Sequence, residues 1–152
     1  KRQSNIGDVC FEVKNWCVDH PIFDGIKVCD NVNFNVRKGE VVGISGPGDF
    51  KDQEQVQQWS EIAEYYEQNN GIHTYTYTAR ADLDFSKATF TVNGSLPNIK
   101  GAAREYRCIP QQDFDALPTK LPQGEYKCPG DCKKCHVCFN DKFKGLIYCR
   151  KH

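Results

Sequence analysis

Four cysteines lie in the run Cys128-Pro-Gly-Asp-Cys132-Lys-Lys-Cys135-His-Val-Cys138, at Cys-x3-Cys-x2-Cys-x2-Cys spacing. Buried single cysteines behave as small hydrophobes and have no reason to recur every third residue on a turn-rich, lysine-bearing loop. A metal gives a reason, because one cation or cluster binds several thiolates at once while short polar loops wrap it. Pro129 and Gly130 supply the tight turn. Disulfides within the run are disfavoured, since cysteines two residues apart are hard to bridge at the usual Cα separation, so that reading needs distant partners. Structural zinc usually takes two Cys-x2-Cys knuckles roughly 12–20 residues apart. The single compact run is of the kind wound around an iron–sulfur cluster, whereas four thiolates also fill a zinc tetrahedron. The expected centre is a [4Fe-4S] cluster or zinc, held by Cys128, Cys132, Cys135 and Cys138.

A second candidate lies earlier. Glu40-Val-Val-Gly-Ile-Ser45 is a short apolar run closed by Gly46-Pro47-Gly48-Asp49-Phe50, a buried strand entering a glycine-rich turn. Glycines let a ligand approach the backbone, and the N-terminus of a following helix favours an anionic group. Asp49 suits an amine or a hydroxyl. Ser45, Gly46, Gly48 and Asp49 are therefore candidate cofactor contacts; the plainer reading makes the glycines a turn and Asp49 a helix cap. Two further polar strand ends, Thr78-Ala-Arg80-Ala-Asp82 and Asn93-Gly-Ser95, point to the same edge. In open α/β sheets ligands bind outside the carboxyl ends of the strands. Arg80 is either a surface charge or the partner of Asp82.

The elements that must position these residues follow from periodicity. Asp52 is placed to cap a helix, with Gln55 in capping-box position. Val56, Trp59, Ile62, Ala63 and Tyr66 recur at helical spacing until Asn69-Asn70-Gly71 stops them. His73 to Thr78 reads as the next strand, so strand, glycine turn, helix and strand form a βαβ unit with parallel strands. Further strands are expected at Val9–Val13, Ile26–Val28, Val32–Val36, Thr89–Val92, Glu105–Cys108 and Gly145–Cys149. Asp113 to Glu125, with Pro118, Pro122 and Gly124, reads as a loop feeding the cysteine run.

At 152 residues the chain holds one sizeable core, or one core plus a small metal lobe. The predicted class is α/β, a partial (β/α) barrel or an open, mostly parallel sheet, with a small C-terminal cysteine-rich metal lobe. The expected division is 1–39 as an N-terminal segment of short strands, 40–112 as the α/β core and 113–152 as the cysteine-rich lobe with a closing strand. Twenty basic residues balance twenty acidic ones, so no global charge argues for nucleic acid. Nine cysteines, clustered in part, point to a reducing, intracellular compartment, and no run reaches the length of a membrane span. Met is absent, so residues are expected to precede Lys1. Cys10, Cys17, Cys29, Cys108 and Cys149 receive no role, and Cys10, Cys17, His20 and Cys29 fit no motif.

Several ordered motifs carry a resemblance to a known family. Ser45-Gly-Pro-Gly-Asp49-Phe50, Gln58-Trp59-Ser60-Glu61-Ile62-Ala63, Tyr75-Thr-Tyr-Thr78, Asp84-Phe85-Ser86, Val92-Asn-Gly-Ser95 and Cys128-Pro-Gly-Asp-Cys132-Lys-Lys-Cys135 resemble the phage gene product 88 type, whose members look like relatives of radical S-adenosylmethionine enzymes. The resemblance spans roughly residues 40 to 152. It implies a partial (β/α) barrel, a host-cytoplasmic location for a phage-encoded chain, and a Ser45–Asp49 loop that holds the amino group of S-adenosylmethionine. It departs at one point. Radical enzymes need an early Cys-x3-Cys-x2-Cys triad that leaves one iron open, and none precedes residue 40. Cys128, Cys132 and Cys135 have that spacing, but Cys138 adds a fourth ligand and closes the site.

Two functions are in view, beside a third reading as an inert structural protein. The first is a non-catalytic, metal-stabilised module that binds a nucleic acid or a host or phage protein, with Lys127, Lys133, Lys134, Lys142 and Lys144 around the metal loop. The second is a radical S-adenosylmethionine enzyme that draws its catalytic cluster from residues upstream of Lys1. No serine–histidine–acid arrangement and no phosphate loop is recognisable in the sequence.

Overall fold

The structure is a computed structural model that describes residues 8–19, 27–44, 49–140 and 142–151. Two strands, β1 (Val9–Asp19) and β2 (Lys27–Arg37), pair antiparallel, with several register shifts along the ladder. The expected short strands at Ile26–Val28 and Val32–Val36 are thus parts of one continuous strand, apart from Ile26, which lies outside the described residues.

The remaining strands form one open sheet. They are β3 (Val41–Gly43), β4 (His73–Thr78), β5 (Thr91–Gly94), β6 (Arg104–Ile109), β7 (Glu125–Lys127) and β8 (Leu146–Arg150), in the spatial order β3-β4-β5-β6-β8-β7. Every neighbouring pair in this sheet is parallel. The α/β class and the βαβ unit follow as expected. Parallel neighbours need crossovers, and each crossover must cover a face of the sheet.

Helix α1 (Gln53–Asn70) is the first crossover. Asp52 Oδ1 accepts from Gln55 N at 2.9 Å, while Gln55 Oε1 reaches back to Lys51 N at 2.8 Å, one residue before the amide a capping box uses. Gly71 ends the helix at φ 63°, its amide on the Glu67 carbonyl, the left-handed cap that glycine adopts without a Cβ clash. Val56 and Ala63 are buried and Trp59 packs beside them, but Ile62 is 46% exposed. At 100° per residue Ile62 falls on the rim of the stripe that Val56 and Ala63 centre, so its apolar character does not bring it inside.

β4 alternates Thr74, Thr76 and Thr78, all buried, with half-buried Tyr75 and Tyr77. Thr76 is the register partner of Val92, which packs in the core with Val56, Ala63, Phe50, Phe85 and Phe90. The threonine face therefore meets α1. Phe50 stacks on Phe90 at 5.8 Å and meets Phe85 edge-on at 5.4 Å, pairs worth about 0.5–1.5 kcal/mol each beyond their burial.

Two sequence expectations change here. The strand expected to end at Val92 runs on through Asn93 and Gly94 because the Asn93 side chain is fully buried and hydrogen-bonded rather than exposed in a turn. The expected loop after Asp113 begins inside helix α2 (Gln111–Ala116), which buried Phe114 anchors ahead of Pro118. Lys127 Nζ and the Arg150 guanidinium lie 4.8 Å and 5.0 Å from the Phe114 ring centroid. β7 was not legible as a strand: three residues are too few for periodicity to register.

Candidate functional site

The tyrosine face of the sheet carries the cysteine run. Because Tyr77 registers with Asn93, Asn93 with Arg104, and Tyr106 with Ile147 and so with Tyr126, these side chains share one face. The connection from β7 to β8 crosses it, through a short helix, α3 (Cys132–Cys135), and a 3-10 turn at Val137–Phe139. The sheet grips this connection through its backbone carbonyls. Asn93 Nδ2 donates to Thr76 O at 2.9 Å and Cys138 O at 3.0 Å. Arg104 donates through Nη1 to Val137 O at 2.5 Å and through Nη2 to Asn140 O at 2.9 Å. Phe139 packs against Tyr75 at 5.5 Å.

Three tyrosine hydroxyls meet three sulfurs. Tyr126 Oη lies 3.2 Å from Cys135 Sγ, and its hydroxyl is pushed up to about 12, first by that hydrogen bond and then by burial. Burial, and after it a hydrogen bond to Cys138, drives the Tyr77 hydroxyl far above its ordinary value. Tyr106 is raised likewise by burial and by a hydrogen bond to Cys149. O–H donation spreads the charge of a thiolate, the service that outer-shell donors give a metal-bound sulfur.

The thiols also feel one another. Burial raises Cys128, a backbone hydrogen bond from Gly130 opposes it, and Cys135, Cys132 and Cys108 raise it further. Cys138 is raised by burial, lowered by the Tyr77 hydrogen bond, and raised by Cys128, Cys135 and Cys132. The fold thus brings Cys132 and Cys135 close enough to Cys128 and Cys138 for their negative charge to raise both of those thiols. All four are free thiols. Among the described residues, no group of three His, Cys, Asp or Glu side chains stands ready to hold a metal ion. The donor chemistry suits a soft cation, but the four sulfurs are not preassembled around one.

Two cysteines that sequence reasoning left without a role join this face. Cys108 and Cys149 are register partners on β6 and β8, with sulfurs 2.9 Å apart. Cys149 is pushed up to about 12 by burial first, then by its hydrogen bond with Cys108. Cys128 follows β7 and its amide donates to Tyr148 O at 2.8 Å, which places it beside Cys149. Their sequence separation hid this row, since Cys108 and Cys149 lie 41 residues apart.

Of the glycine-loop candidates, Asp49 is described; Ser45, Gly46 and Gly48 lie outside the described residues, as do His20 and the side chains of Cys10, Cys17 and Cys29. Asp49 Oδ1 accepts from Thr78 Oγ1 at 2.5 Å and Phe50 N at 2.8 Å, and Oδ2 from Ala79 N at 2.6 Å. It ties the segment after β3 to the end of β4. Arg80 is the partner of Asp82, through Nε to Oδ1 at 2.7 Å and Nη2 to Oδ2 at 2.6 Å. Its Nη1 also donates to the carbonyls of Phe50 and Lys51. A cavity of about 360 Å³ is lined by Glu67, His73, Thr89, Thr91 and Lys144 among others, and by neither Asp49 nor any cysteine.

Fold and site together define an α/β protein on an open, all-parallel sheet, with a cysteine-bearing crossover laid across one face. Two curated proteins match short stretches. The L-arabinose transport ATP-binding protein AraG of Geobacillus stearothermophilus is 56% identical over 45 residues, 30% of this chain and 9% of that protein. The xylose import ATP-binding protein XylG of Thermoanaerobacter pseudethanolicus is 56% identical over 41 residues, 26% of this chain and 8% of that protein. The chain spans about a tenth of the length of these relatives. No family model matches it. No solved structure matches it either. Among the described residues, no helix is long and apolar enough to cross a membrane.

Proposed function

We propose that this chain is a metal-binding α/β protein of the phage gene product 88 type, a radical-enzyme relative without the radical chemistry. In this reading Cys128, Cys132, Cys135 and Cys138 hold a [4Fe-4S] cluster or a zinc ion, and the protein acts by binding a macromolecular partner. One observation carries the reading: four thiols share one sheet face, the charge of Cys132 and Cys135 raising Cys128 and that of Cys128, Cys132 and Cys135 raising Cys138, with Tyr77 and Tyr126 hydrogen-bonded to two of the sulfurs. A cation removes that repulsion, and closing the sulfurs onto it is the rearrangement that binding must supply. When bound, the metal would contribute folding energy and fix the crossover; four cysteine ligands leave no open position for substrate.

The partner is a nucleic acid or a host or phage protein. Of the lysines expected to meet it, Lys127 is occupied at Phe114 and Leu117, and Lys134 pairs with Asp131 at 3.2 Å. Lys142 and Lys144 are exposed beside the metal loop and are the better contacts.

The radical-enzyme alternative assigns Ser45, Gly46, Gly48 and Asp49 to S-adenosylmethionine. Three of the roughly four acceptor positions of the Asp49 carboxylate are already used within the fold, which leaves little for an amino group. Nucleotide binding, which the names of the two transport proteins suggest, has less support. Gly43 and Gly48 have phosphate-loop spacing, but Asp49-Phe50 stand where Lys and Ser or Thr would follow. A carboxylate there repels phosphate.

Elemental analysis and an absorbance spectrum on anaerobically purified protein test the proposal. Iron with sulfide and a brown colour indicate the cluster, and one zinc per chain in colourless protein the closed knuckle. Protein that takes up neither metal stoichiometrically, even after anaerobic reconstitution, removes the reading. A gel-shift series against salt tests the nucleic-acid version, which fails without binding at low salt.

A further inference from the structure

We propose that Cys108 and Cys149 are a thiol–disulfide exchange pair whose oxidant is a low-molecular-weight disulfide such as oxidised glutathione. The pair lies outside the Cys128–Cys138 run.

Three observations carry it. Cys108 and Cys149 are direct register partners on adjacent parallel strands, so their side chains leave the same face of the sheet side by side. Neighbouring strands run about 4.7–4.9 Å apart, inside the usual Cα range of 4.4–6.8 Å for a disulfide, so the backbone separation permits the bond. The sulfurs already stand 2.9 Å apart as free thiols.

Exposure then assigns the order of events. Cys108 is exposed and Cys149 is buried, so an incoming disulfide meets Cys108 first. The Cys108 thiolate attacks one sulfur of the oxidant, the oxidant's sulfur–sulfur bond breaks, and one glutathione thiolate leaves. Cys149 loses its proton to solvent and attacks the Cys108 sulfur of the mixed disulfide, expelling the second glutathione thiolate. Two protein thiols are oxidised by two electrons to one disulfide. One glutathione disulfide is reduced to two thiolates, which take up the two protons. The Tyr106 hydroxyl, hydrogen-bonded to the Cys149 sulfur, is placed to steady the resolving thiolate. A buried thiol without a partner is inert, and an exposed one stops at the mixed disulfide. Side by side they complete the exchange.

The test is a peptide map of the wild-type chain. Protein is incubated anaerobically with oxidised glutathione, alkylated, digested with trypsin without reduction and analysed by mass spectrometry. The expected product joins residues 108–120 to residues 145–150, with loss of both free thiols. Cys149→Ser should stop at a glutathione adduct on Cys108, and Cys108→Ser should leave Cys149 unmodified over the same time. The proposal is overturned if Cys108 and Cys149 are both recovered alkylated while cysteines of the 128–138 run oxidise. Recovery of Cys149 joined to Cys128 overturns it equally. The wild-type map decides the matter even where a variant fails to fold.

Discussion

Asn93, on the middle of the sheet, holds the carbonyl of Cys138 at 3.0 Å with the same amide nitrogen that holds Thr76 O at 2.9 Å. One side chain thus clamps the cysteine crossover to β4 and β5 at once. Replacing Asn93 with Ala leaves both carbonyls short of a donor in a buried place. An unsatisfied buried group costs about 1–3 kcal/mol, so Asn93→Ala is expected to lose about 2–4 kcal/mol in urea denaturation. Cys138 should also alkylate faster, because the crossover is released. Unchanged stability with unchanged alkylation would show that the clamp carries no load.

Tyr77 and Cys138 form a donor–acceptor pair in which the hydroxyl lowers the thiol that burial raises. Tyr77→Phe removes the donor and keeps the ring. The pH profile of Cys138 alkylation in metal-free protein is expected to move to higher pH. A profile that stays put, or moves down, contradicts the hydrogen bond.

The Arg80 guanidinium holds the Asp82 carboxyl down to about 2, against an ordinary value of about 3.9. A depressed folded value means that the pairing contributes stability above the unfolded value and loses it as pH falls through the folded one. The stability difference between wild type and Asp82→Asn should therefore be full near neutrality and vanish between about pH 4 and pH 2. Asp82 is well exposed, so added salt should shrink the difference at neutral pH. Denaturation midpoints across that pH range check both statements.

Gly101 and Gly71 both have positive φ, at 85° and 63°, but different surroundings. A Cβ on Gly101 would fall 2.2 Å from the backbone of Phe85 and Ser86, whereas one on Gly71 meets nothing within 4 Å. Gly71→Ala should cost only the left-handed conformation, about 1–2 kcal/mol. Gly101→Ala must also displace backbone and should cost more than about 3 kcal/mol. Equal thermal stabilities of the two variants would contradict the packing.

Local signals made much of this protein legible. The capped helix after Asp52, its stop at Gly71 and the strand His73–Thr78 came from periodicity and terminal chemistry, which act within a few residues. Parallel pairing of β3 and β4 followed because a helix joins them. The cysteine run was visible for the same reason: its four sulfurs are close in sequence.

Local chemistry along the chain thus specified the capped helix, the strand that follows it and the close spacing of the four thiols. Packing in three dimensions settled which face of β4 would be threonine-packed and which would lie under the crossover, because alternation marks two faces without saying what covers either. It alone turned Asn93 from a turn residue into a buried clamp and set Cys108 against Cys149 across the sheet. Strand order brings together residues 41 positions apart, and no spacing rule along the chain encodes that order.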